Sequence, residues 1–86
     1  MSVLTTKVTH ERVEPVAAST LRRTVTCLGA NRWQANGLWG DYPNAHAALL
    51  AIREDVLRTA RHPTDIEILW ANVPANFVAP TTGTAL

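Results

Sequence analysis

The hydrophobic rhythm of this chain changes within one run, Arg32-Trp33-Gln34-Ala35-Asn36-Gly37-Leu38-Trp39-Gly40-Asp41-Tyr42-Pro43. Before it, apolar and polar positions alternate with a period of two; after it, apolar residues recur at helical spacing. Leu21 to Leu28 reads as a strand, with Leu21, Arg23, Val25 and Cys27 on one face and Arg22, Thr24, Thr26 and Leu28 on the other. Gly29-Ala30-Asn31 supplies turn chemistry, because Gly and Asn tolerate positive φ. The pattern therefore predicts a hairpin whose second strand runs from Arg32 to about Trp39. Trp33, Ala35, Gly37 and Trp39 would share its inner face, the small pair admitting a helix and the tryptophans closing the ends of the contact. A competing reading treats Asn36-Gly37 as a tight turn that splits this strand in two.

Asp41 is a suitable N-cap for the next element, with Pro43 in the first turn. From Tyr42 to about Arg61, the residues Ala45, Ala48, Leu49, Ile52, Val56 and Ala60 form one apolar stripe, which predicts a helix that buries this face. His62-Pro63 should end it. Asp65 to Val73 reads as a last strand, with Ile66, Ile68 and Trp70 on the apolar face. Thr5 to Val13 alternates poorly, so residues 1–20 read either as a weak edge strand or as a mobile arm. Residues 74–86 read as an extended tail, from which Phe77 and Val78 could fold back.

The order strand-strand-strand-helix-strand predicts an α+β fold: a three- to four-stranded, mainly antiparallel sheet with one helix packed on one face. At 86 residues there is room for one domain and one core. The uncovered face would show Arg22, Thr24, Thr26, Gln34, Asn36 and Glu67, with Leu28, Leu38 and Leu69 as its apolar members.

Charge and composition narrow the function classes. A net charge of +1 gives the chain no long-range pull toward nucleic acid or anionic lipid. One cysteine, Cys27, precludes an intramolecular disulfide and suits a reducing cytoplasm. No run of apolar residues approaches the length of a membrane span. The histidines His10, His46 and His62 lack metal-ligand spacing, and a single thiol cannot build a structural zinc site. A Cys27–His46 thiolate pair is conceivable, but Cys27 falls on the inward face, where a free cysteine behaves as a small apolar residue. The carboxylates show no paired arrangement: Asp41 reads as a cap, and Glu54 as the partner of Arg58 one turn on. The four glycines are scattered, so no phosphate-binding loop is encoded. Catalytic residues, a metal and a cofactor are therefore not expected, nor is the chain expected to be an enzyme.

Two surface readings remain. The first places a protein-binding face on the helix at His46, Leu50, Arg53, Glu54, Leu57 and Arg61, where two leucines one heptad apart lie outside the core stripe within a polar rim. Its alternative is a wider core face, covered by the N-terminal segment or by residues 74–80; a homodimer seam is a further option. The second is a nucleic-acid surface at Arg22, Arg23 and Arg32, with Trp33 and Trp39 available for stacking if the third strand were shifted by one residue. The favoured expectation is a small cytoplasmic protein-binding module that acts by occupying a surface. Compact chains of this kind occur among phage and mobile-element accessory proteins, including inhibitors of host defence, although size and fold do not themselves imply function.

Overall fold

The computed structural model describes residues 4–12, 19–59 and 64–80. Along the chain these form β1 (Leu4–Arg12), β2 (Ser19–Gly29), β3 (Arg32–Ala35), α1 (Ala45–Thr59) and β4 (Thr64–Pro74). Side by side, the strands run β1-β4-β2-β3. The outer pairs β1·β4 and β2·β3 are antiparallel, whereas the central pair β2·β4 is parallel. The fold is thus a small α+β domain, but its sheet is mixed where the sequence pointed to a mainly antiparallel one. The last strand does not join the end of the meander. It enters between β1 and β2, and both central strands thereby gain hydrogen-bonded neighbours on each side.

The helical stripe carries the core. Ala45, Ala48, Leu49, Ile52 and Val56 are buried against Val25, Trp33, Ala35, Ile66, Ile68 and Trp70 of the sheet. Alternation in β4 sends Ile66, Ile68 and Trp70 inward, and strict alternation would then send Val73 outward. A bulge prevents this. Thr5 pairs with Val73 and Lys7 with Trp70, so two β4 residues oppose the single Thr6, and Asn72 takes a φ of 62°. Val73 returns to the interior. Asn72 is fastened by its side-chain amide, which donates to the Cys27 carbonyl at 2.9 Å.

The third strand stops at Ala35. Leu38 N–H donates to the Ala35 carbonyl at 3.1 Å across Asn36-Gly37, and only Gly37 of the central pair has positive φ, 89°. This is the arrangement of a type II turn; a type I′ turn needs positive φ at both positions. Gly37 consequently leaves the helix contact, and an added Cβ there would lie 3.2 Å from the Arg23 guanidinium. Asn36 and Leu38 leave the open sheet face, and Trp39 stands out in solvent. The β2–β3 hairpin does form over Ala30-Asn31, with a register shift between Cys27 and Gly29, but Gly29 and Asn31 keep negative φ.

The helix starts later than the sequence suggested. Tyr42 is held by two backbone hydrogen bonds to Trp33, at 2.7 and 2.9 Å, and so cannot enter the first turn. Asn44 caps instead, its side-chain oxygen accepting from Ala47 N–H at 2.7 Å. Asp41 accepts from Arg32 at 2.9 and 3.0 Å. The expected helix end at Arg61 to Pro63, with Ala60, lies outside the described residues.

The helix lies over β2 and β3. The rest of that face is closed by the segment after β4, where the Phe77 ring sits 5.5 Å from both Trp33 and Trp70. Lys7 donates to the Phe77 carbonyl, and the Trp70 indole donates to Thr9 Oγ1 at 2.8 Å. Val78, expected to fold back with Phe77, is exposed.

Candidate functional site

Three surfaces follow from this architecture: the open sheet face, the β3–α1 loop and the outer side of α1. On the open face, pairing sets residues in rows. His10, Glu67 and Arg22 form one row across β1, β4 and β2, with Arg22 Nε donating to Glu67 at 2.6 Å and His10 Nε2 lying 3.2 Å from the same carboxylate. Val8, Leu69 and Thr24 form the next row. The face alternates charge, branched apolar groups and threonine, the composition of a sheet face that meets water.

The arginines expected near the hairpin are already engaged with carboxylates. Arg22 pairs with Glu67, Arg32 with Asp41, and Arg23 with Asp55 at 3.1 Å, while Arg23 also donates to the Asn36 carbonyl at 3.0 Å. Arg23 points under the helix; it does not share a surface with Arg22. Hydrogen bonding from Arg23, joined by Arg58, holds the Asp55 carboxyl below its usual range despite the opposing effect of partial burial. Trp33 is 7% exposed and packs edge-on against Trp70, with ring centroids 6.3 Å apart. A buried indole cannot stack on a base, so the shifted register that would make a platform there is not the register of this sheet.

The tryptophan at the surface is Trp39, 98% exposed. Sequence reasoning placed it in the core because it continues the inward parity of Trp33 and Ala35. The signal against that reading was local: Gly37 and Gly40 flank it, and both take positive φ. The loop base is pinned by the Trp33–Tyr42 bridge and by Arg32–Asp41. Nearby chemistry is sparse. Cys27 is half-buried beside an open apolar depression of about 410 Å³ lined by Leu4, Leu28, Trp33 and Phe77, and its thiol meets the Gly29 carbonyl at 3.4 Å. Nothing joins Cys27 to His46, and among the described residues no three His, Cys, Asp or Glu side chains gather to hold a metal ion.

No family model, curated protein or solved structure matches the chain. Function must be argued from the surface itself.

The outer side of α1 brings together most of the residues expected there. Leu50 is 39% exposed and Leu57 47%, while His46 and Glu54 are exposed beside them. Arg53 is half-buried, with its Nε enclosed and lacking an acceptor. Arg61 lies outside the described residues. Neither β1 nor the segment ending at Pro80 covers the leucines: β1 pairs with β4, and Phe77 packs on the tryptophans. The expected Glu54–Arg58 pair is replaced by Asp55–Arg58 at 2.8 Å, which together with Arg23 gives Asp55 two guanidinium partners. Glu54 and Arg53 have no ion-pair partner among the described residues.

Proposed function

We propose that this chain is a small non-enzymatic protein-binding module that works by occupying a surface through the outer side of α1. One observation carries the reading: Leu50 and Leu57 stay open to solvent one heptad apart while every described residue of the core stripe is buried. Apolar side chains within a charged rim are the anatomy of an interface centre. Occupation without chemistry is also how an inhibitor borne by a phage or mobile element would act. No helix of the described residues is long and apolar enough to cross a membrane.

The test is capture from the source cell by the immobilised protein. Replacing Leu50 and Leu57 together by alanine should keep the far-ultraviolet dichroism and thermal transition while removing the captured species. Undiminished capture by that folded variant rejects the helix surface. The nucleic-acid alternative has its own readout: Arg22→Ala with Arg23→Ala should not alter binding. A gel shift that fades steeply with added salt would favour phosphate contacts instead.

A further inference from the structure

The outer stripe of α1 reads Leu50, Arg53, Glu54, Leu57, at positions i, i+3, i+4 and i+7. With 3.6 residues per turn, the two leucines project within about 20° of each other, while Arg53 stands about 50° to one side and Glu54 about 50° to the other. The stripe is thus a leucine ridge with a cationic shoulder and an anionic one. Both shoulder charges are unpaired among the described residues, although Arg58 and Arg23, close by, are satisfied by Asp55.

We infer that α1 pairs with α1 of a second copy in a parallel, two-fold arrangement, Leu50 on Leu50 and Leu57 on Leu57, with each Arg53 facing Glu54 of the partner copy. This rests on the reading of the helix face as a binding surface and names its occupant. Charge complementarity selects both occupant and direction. A two-fold axis along the helices brings the left shoulder of one copy against the right shoulder of the other, so opposite charges meet twice. An axis perpendicular to them, giving antiparallel helices, would set Arg53 beside Arg53 and Glu54 beside Glu54, which opposes association. Self-complementarity of one patch is the requirement of an isologous dimer. Two leucines per copy make a small apolar centre, so the pair is weak and concentration-dependent.

Sedimentation velocity at neutral pH and low salt, from micromolar to millimolar protein, should show a reversible monomer–dimer equilibrium. Arg53→Glu alone sets Glu against Glu54 of the other copy, and Glu54→Arg alone sets Arg against Arg53; each should weaken association at least about tenfold, equivalent to about 1.4 kcal/mol. The double variant Arg53→Glu with Glu54→Arg exchanges the shoulders and should restore the dimer, which also excludes misfolding as the cause of the single losses. Direction is read separately in a Cys27→Ser background: Leu50→Cys should form a disulfide-linked dimer on air oxidation. A wild-type chain that stays monomeric at millimolar concentration, or a double swap that fails to restore association, overturns the pairing. Cross-linking of Leu50→Cys to Leu57→Cys in preference to itself overturns the parallel direction. If the dimer fails while the double leucine variant still loses capture of a cellular protein, the binding face stands and its occupant is a different chain.

Discussion

Ile52 lies at the middle of the helical stripe with no exposed surface, within a core built from α1 and the three strands β2, β3 and β4. Ile52→Ala should cost about 2 to 5 kcal/mol in a chemical melt, by lost burial and the cavity left behind. A cost within about 0.5 kcal/mol, the size of a surface effect, would place the residue elsewhere. The helix cap gives a second, sharper comparison. Asn44→Ala removes the acceptor for Ala47 N–H and should cost about 1 kcal/mol, whereas Asp41→Ala loses an exposed pair with Arg32 and should change stability by less than about 0.5 kcal/mol. Reversed values would return the cap to Asp41. From Ala45 to Val56 the core stripe was legible in the sequence, because the buried face of a helix follows the 3.6-residue spacing. The cap was not, because Asp41 and Asn44 are both good N-cap types. What decided between them is the bond of Tyr42 to Trp33, a pairing outside the helix.

At the scale of elements, α1 is tied to β2 by an interaction that does not involve the apolar core. Asp55 receives Arg23 from the strand and Arg58 from its own helix. Its carboxyl is depressed in the folded chain, chiefly by the Arg23 hydrogen bond. The stabilisation is therefore fully present above the unfolded value of about 4, and is lost as pH falls through that value and then through the lower folded one. Asp55→Asn should lower stability by about 1 kcal/mol at pH 7, and the gap from the wild type should close on acidification below about pH 4. A gap constant with pH would show that the carboxylate charge contributes nothing. The same Arg23 explains where sequence reading of the third strand went astray. Parity carried Trp39 inward with Trp33, but Gly37 needs positive φ and Arg23 caps the turn at the Asn36 carbonyl, so the strand ends at Ala35. The competing turn reading of Asn36-Gly37 had the right break, although the turn is type II and not I′.

Over the whole molecule, the sheet is a frame with two interior strands and two edges. β2 and β4 are paired on both sides and lie beneath the core, whereas β1 and β3 each have one neighbour within the sheet. Native-state hydrogen exchange should therefore show the slowest amides at Val25 in β2 and at Ile66 and Ile68 in β4, with β1 exchanging faster, because opening an edge exposes less apolar surface than opening the centre. Uniform protection across all four strands would contradict this. β2 and β4 were readable from alternation, whereas the poor pattern of the N-terminal segment reads equally as an edge strand or a mobile arm and β3 is shorter than its parity suggests. Their arrangement was not. The parallel pairing of Ser19–Thr64 through Thr26–Ala71 joins segments 45 positions apart in sequence, and no local pattern reports which neighbour a strand will take.

The three indoles of this chain occupy two environments. Trp33 and Trp70 are packed with Phe77 in one aromatic cluster, and Trp39 meets water on almost all its surface above a base fixed by Tyr42 and Asp41. In optical terms, the protein carries its own two-channel reporter. A collisional quencher such as iodide should extinguish the red-shifted emission of Trp39 in the native protein while sparing the other two, which become accessible only on unfolding. Contact made by the loop and loss of the fold can thus be followed separately, in one cuvette, without attaching a dye.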